Sequence, residues 1–166
     1  MTSYIHHFPA IKTKRLILRE IVAEDASNIL KYLSDKEVMK HYGLEPFTTV
    51  EDALNKIAWY QSILNEKSGI RWGITLKEQD DIIGSCGFLN RVHNHCRAEI
   101  GYELSKDYWG NGIANAASQK LIKKNGFIKE GLLRSYEFTC GKFDDLYMYS
   151  LLKQDVDRLQ PHEGNI

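Results

Sequence analysis

The stretch "RAEIGYELSKDYWGNGIA", Arg97 to Ala114, constrains the fold more than any other part of the chain. Its opening residues alternate, with Ala98, Ile100, Tyr102 and Leu104 set against Arg97, Glu99, Gly101 and Glu103. That is the period of a β-strand with two unlike faces. The strand runs into Gly110-Asn111-Gly112 and then into small residues that suit a helix. A strand, a glycine turn and a helix in that order aim several backbone N–H groups at one point. The positive end of the helix dipole adds to them, so an anion can be held there without a lysine. Two familiar phosphate loops fit poorly. Walker A needs a wider glycine spacing followed by Lys, and none follows here. The dinucleotide fingerprint needs a small residue where this chain has Asn115, and it needs a βαβ context.

The context is instead antiparallel. "RWGITLK" (71–77), "IIGSCGFLN" (82–90) and "RAEIGYEL" (97–104) succeed one another through short loops, which predicts a meander. Gly84 and Gly87 inside the middle strand mark a bulge or a close approach of backbone. An earlier strand is predicted over 15–21, "RLILREI". Asp25 is placed to cap a short helix with the stripe Ala26, Ile29, Leu30 and Leu33. Thr48 or Thr49, the latter with Asp52 in near capping-box register, opens a longer helix in which Ala53, Leu54, Ile57, Trp59, Tyr60, Ile63 and Leu64 recur at helical spacing and which Gly69 stops. Trp59, Tyr60 and Ile63 are read as core. Past the glycine turn, "NGFIKEGLLR" predicts a turn and a short strand, and "YEFTCGKFDDLYMYSLL" a hairpin around Gly141-Lys142. No repeat, low-complexity tract or linker divides residues 1–166, so the chain is expected to form one α+β domain with a mainly antiparallel central sheet flanked by helices.

Bulk composition narrows the function classes. Lys plus Arg equals Asp plus Glu, 22 each, so no net basic charge points to nucleic acid. No apolar run approaches a membrane span, and no secretory leader is visible at the start, which predicts a cytoplasmic protein without a membrane partner. Three scattered cysteines build no disulfide framework, and Cys86 is expected to be a buried strand residue. "HNHC", 93–96, lacks the spacing of a zinc site and has no second cluster, so no metal is expected.

Several segments resemble the GNAT acyltransferases, and within them the ribosomal-protein N-acetyltransferase-like (RimJ/RimL-type) branch. "TKRLILREI" resembles that branch's opening strand, "AEIGYELSKDYWGNGIA" its acetyl-CoA motif, "ASQKLIKKNGFIKEG" its later helix and turn, and "DDLYMYSLL" its closing strand. Asp107 stands where the general loop has Arg or Gln. The resemblance implies acetyl-CoA as co-substrate. Backbone groups of Tyr102 and Leu104 would pair with the pantetheine arm as an added strand. Amides of Trp109, Gly110, Asn111, Gly112, Ile113 and Ala114 would hold the pyrophosphate. Asn115 and Ser118 match an Asn-x-x-Ser whose side chains approach pantetheine and thiol. The acceptor would be a primary amine, with a protein N-terminus favoured over polyamines or antibiotics, on a monomer or homodimer. A non-catalytic acyl-CoA-binding module is the alternative.

Acetyl transfer needs a base for the amine, donors for the oxyanion and a donor for the departing thiolate. Glu99 and Glu103 share one strand face; Glu99 is the candidate base and Ser118 the candidate thiolate donor. The chain departs from the family's pattern in one place. Ile113-Ala114 abuts Asn115 directly, where the family has a helix and a strand of roughly 25 residues together. Three readings follow: the molecule carries a segment that these residues omit, the chain has a true deletion, or a second chain supplies the strand. The first is favoured, because both flanking motifs are intact and meet without a linker.

Overall fold

The computed structural model describes residues 8–40, 45–92, 97–113, 117, 122, 126–139, 142–152 and 154–155. Five antiparallel strands form the main sheet in the order β1 (Ile11–Lys12), β2 (Leu16–Arg19), β3 (Ile70–Leu76), β4 (Gly84–Val92) and β5 (Arg97–Leu104). The predicted meander is therefore present, and among the described residues β5 lies at one edge of this sheet, with β1 at the other. Three helices, α1 (Ala26–Leu33), α2 (Lys36–Met39) and α3 (Val50–Asn65), lie between β2 and β3 in the chain. A second sheet has two strands, β6 (Ile128–Thr139) and β7 (Lys142–Ser150).

The alternation of each strand sorts its side chains into two cores. Leu16, Leu18, Trp72, Ile74, Cys86 and Leu104 pack on one face together with Ile113 and Ala117. Ile21, Ile29, Leu33, Ala53, Ile57, Tyr60 and Ile82 form the other core, beneath α1 and α3. Of Thr48 and Thr49, it is Thr49 that starts α3: its hydroxyl accepts from the Asp52 amide (3.2 Å) while the Asp52 carboxylate accepts from the Thr49 amide (2.9 Å). Of the stripe read as core, Tyr60 and Ile63 are buried, but Trp59 is 42% exposed.

Two local expectations need correction. Asp25 does not cap α1 with its side chain. It lies in a 3-10 turn, Ala23–Asp25, where its carboxylate takes the Val22 amide (2.9 Å) and two guanidinium nitrogens of Arg19 (2.8 and 2.9 Å). A buried carboxylate is better satisfied by that fork than by one helix amide. The short strand predicted after the turn, for its part, runs on to Thr139 as one long strand of the hairpin. Its register shifts between Leu133 and Glu137, where Ser135 has φ +50° and donates its amide to Asp145 (2.9 Å).

Gly84 and Gly87 mark close backbone approach; the register shift in β4 comes later, between Leu89 and Val92. A Cβ on Gly87 would stand 2.0 Å from the Ile70 carbonyl oxygen and 2.8 Å from the Arg71 Cα, both on the backbone of β3. Neither can move without opening the β3–β4 ladder. Gly87→Ala is expected to destabilise the protein by about 3 kcal/mol, the upper range for overpacking, read as a drop in the denaturant midpoint.

Candidate active site

The edge of β5 is aimed by its pairing with β4. Ser105 donates its amide to the Ile83 carbonyl (2.8 Å), and Leu104 and Tyr102 lie opposite Gly84 and Cys86. Bonded and non-bonded pairs alternate along an antiparallel ladder. The Leu104–Gly84 and Tyr102–Cys86 pairs are thus of the non-bonded kind, and the backbone N–H and C=O groups of Leu104 and Tyr102 point away from β4. This is the direction an added strand would need. The Leu104 carbonyl accepts the Trp109 indole N–H there (2.9 Å).

Beyond Leu104 the chain makes a 3-10 turn, Lys106–Tyr108, and this corrects one assignment. The Trp109 amide donates to the Lys106 carbonyl (3.0 Å), so Trp109 has no amide to offer a phosphate. The seat begins at Gly110. Gly110 and Gly112 have φ +75° and +66°, and Asn111 between them is not among the positive-φ residues. Alternating backbone conformation of this kind turns successive N–H groups into one concavity, an anion nest. All three residues are exposed, and their amides have no partner among the described residues. Ile113 and Ala117 are helical and buried against the sheet, which sets the helix start at the turn. Ala114, Asn115 and Ser118, like His93–Cys96, lie outside the described residues.

On the helix-facing side of β5 the structure separates the two glutamates. Glu99 is exposed, and its carboxylate accepts from the Asn90 side-chain amide (2.7 Å). Asn90 sits at the β4 register shift with φ +51°, and that bulge turns it toward β5. Glu103 is buried in a polar network that single-sequence reasoning missed. It accepts from the Ser85 hydroxyl (2.8 Å) and the Tyr60 hydroxyl (2.9 Å), pairs with the Arg71 guanidinium (3.2 Å), and has Lys56 Nζ at 3.7 Å. Arg71 also donates to Ser85 (3.0 Å). Gly101 gives the guanidinium its room, since a Cβ there would come 3.2 Å from Arg71 Nη1. Burial alone would raise the Glu103 pKa, but the Arg71 and Lys56 charges and the two hydroxyl donors reverse this and hold it below its ordinary value. Glu103 is therefore a fixed carboxylate. Burial, followed by the Glu103 charge, pushes the Tyr60 and Tyr32 hydroxyls up, so both stay protonated.

The Tyr32 hydroxyl is buried beside this cluster, with the Ser85 hydroxyl near it but no hydrogen bond of full geometry among the described residues. An orphaned donor costs its desolvation penalty. Tyr32→Phe is accordingly expected to leave stability unchanged or raise it by about 1 kcal/mol, measured by urea unfolding.

A five-stranded antiparallel sheet beside a two-stranded one, with an edge strand that leads through a 3-10 turn to an exposed glycine nest and a helix start, matches the architecture of solved acetyltransferases. The sequence profile of the acetyltransferase (GNAT) domain matches residues 15–132, and the chain belongs to this family of N-acetyltransferases. It is similar to YoaA of Bacillus subtilis (strain 168), named as an uncharacterized N-acetyltransferase, with 37% identity over 173 residues covering 88% of this chain and 98% of YoaA. That alignment is longer than the 166 residues of this chain, so YoaA carries residues without a counterpart here. Among solved structures, the fold is similar to RimL, a ribosomal alpha-N-protein acetyltransferase in complex with coenzyme A (TM-score 0.61, 18% identity, 85% of this chain and 96% of that one). It is also similar to spermidine N-acetyltransferase from Vibrio cholerae in complex with CoA and spermine (TM-score 0.56, 18% identity, 87% and 99%). Among the described residues, no helix is long and apolar enough to cross a membrane.

Proposed function

We propose that this protein transfers the acetyl group of acetyl-CoA to a protein N-terminal amine, by direct attack within a ternary complex. The observation that carries the reading is the succession of two backbone surfaces: the outward groups of Tyr102 and Leu104 on β5 and, after the Lys106–Tyr108 turn, the Gly110–Gly112 nest. A pantetheine arm pairs with the first and a diphosphate sits in the second, which sets the thioester alongside β5. An N–H of β5 then serves the oxyanion. Glu99, open to solvent, takes the amine proton directly or through one water. Ser118 and Asn115 keep the roles that the family motif implies, at the thiol and the pantetheine.

The acceptor approaches from the α3 side, where Lys56 stands over Trp59 (4.7 Å) next to Glu103. The relation to a ribosomal-protein-serine acetyltransferase of Escherichia coli (28% identity over 132 residues) supports a peptide N-terminus as the acceptor, with polyamines as the alternative. Titration with acetyl-CoA, then thiol release over a panel of N-terminal peptides and polyamines, tests the reading. Thiol release on peptides supports it; release on polyamines alone replaces the acceptor class. Binding without release on any acceptor replaces the enzyme by an acyl-CoA-binding module.

The longer alignment with YoaA supports a second part of the reading: the chain is one domain that lacks a family segment between Ala114 and Asn115. Intact mass separates the alternatives. A value of 19.2 kDa makes the gap real, and a heavier one restores the segment.

A further inference from the structure

We propose that Arg15 is a positioning residue of the diphosphate seat, acting from behind the glycine turn; this rests on the acetyl-CoA reading above. Arg15 is remote from the turn in sequence, and nothing in the glycine motif points to it. Its backbone is pinned on both sides: the amide donates to the Thr13 hydroxyl (3.2 Å), and the carbonyl accepts from the Lys77 amide (3.1 Å). The side chain is thereby presented to the turn, where Nη1 donates to the Asn111 carbonyl at 3.5 Å, long but charge-assisted.

The consequence follows from the planarity of the peptide. The Asn111 carbonyl and the Gly112 N–H belong to one trans peptide unit and point in opposite directions. A guanidinium that holds the carbonyl on one side fixes the N–H on the other, the side from which an anion would arrive. Positive φ at Gly110 and Gly112 leaves this peptide with little steric restraint of its own. Among the described residues, chain neighbours apart, no atom lies within 4 Å of a Cβ built at either glycine, so their packing does not supply the restraint. Arg15 does so, and its charge at the oxygen end of the peptide dipole makes the N–H end a better donor.

The test compares wild type, Arg15→Ala and Arg15→Lys on three donors: acetyl-CoA, 3′-dephospho-acetyl-CoA and acetyl-pantetheine, which lacks the diphosphate. The expected result is a rise of about tenfold in KM for the first two with Arg15→Ala, an unchanged kcat and an unchanged KM for acetyl-pantetheine. Arg15→Lys, which keeps a charged donor, recovers part of the loss. An equal rise on acetyl-pantetheine would show a general folding defect and overturn the proposal. So would a loss confined to acetyl-CoA, which would place Arg15 on the 3′-phosphate, or no change on any donor. If Arg15→Ala does not fold, Arg15→Gln takes its place under the same criteria. If wild type itself uses none of the donors, the acetyltransferase reading falls first and takes this one with it.

Discussion

Replacing Glu103 by Ala is expected to destabilise the protein by about 3–5 kcal/mol, enough to unfold a marginal domain. The cost comes from what stays behind. Arg71 is as deeply buried as Glu103, with 3% of each side chain exposed, and without the carboxylate its charge is stranded between β3 and α3. Tyr60 and Ser85 lose their acceptor as well. Glu103→Gln keeps the shape but not the charge and should cost somewhat less. The double replacement Arg71→Met with Glu103→Leu should recover the part of the loss due to the buried Arg71 charge, because an apolar pair of similar volume owes no ionic desolvation, while the Tyr60 and Ser85 hydroxyls still lack their acceptor. Urea denaturation reads all three, with Arg71→Met and Glu103→Leu alone completing the double-mutant cycle.

The same residue predicts a pH signature. The folded-state pKa of Glu103 lies below its unfolded value, so the folded state holds the proton less tightly. Its contribution is fully present above the unfolded pKa and is lost as pH falls through the folded one. Wild type should therefore lose stability in that acid window, and Glu103→Gln should lack this component. An identical acid slope in both proteins would mean that the carboxylate is not held ionised.

Why this network escapes the sequence is plain from its separations. Arg71 and Ser85 lie 14 positions apart, Ser85 and Glu103 18, Tyr60 and Glu103 43. Periodicity puts Glu99 and Glu103 on one face of β5 and stops there. It cannot tell that β4 offers a hydroxyl to one and, through the bulge at Asn90, a side-chain amide to the other. The α3 start was legible because both halves of the Thr49–Asp52 box lie within one turn. The meander was legible because its strands follow one another through short loops. Trp109 shows the opposite limit. Its place beside the glycines suggests a phosphate amide, yet the 3-10 turn before it closes on that amide, and only coordinates reveal such a closure. The hairpin is legible from its glycine, but β6 runs longer than its sequence suggests because Ser135 breaks the register without breaking the strand.

The glycine turn yields the second large effect, and its signature is the reverse of that of Glu103. Gly112→Ala is expected to leave the fold nearly intact while acetyl-CoA binding weakens by well over tenfold. Among the described residues, chain neighbours apart, a Cβ at Gly112 meets nothing within 4 Å, so none of their packing is disturbed. The residue must still hold φ +66°, which costs an L-residue about 1–2 kcal/mol. The chain can relieve that strain by rotating the peptide, and rotation removes N–H groups from the concavity. If the peptide does not rotate, the methyl stands at the mouth of the turn, where backbone and phosphate must come within hydrogen-bond distance. Either route penalises the ligand more than the fold. Gly110→Ala should act in the same way, since its φ of +75° and its open surroundings are alike. Calorimetric titration of acetyl-CoA beside a thermal melt separates the two quantities. A variant that melts like wild type and still binds acetyl-CoA with wild-type affinity would show that the diphosphate does not sit at this turn, and the donor site would have to be sought elsewhere along β5.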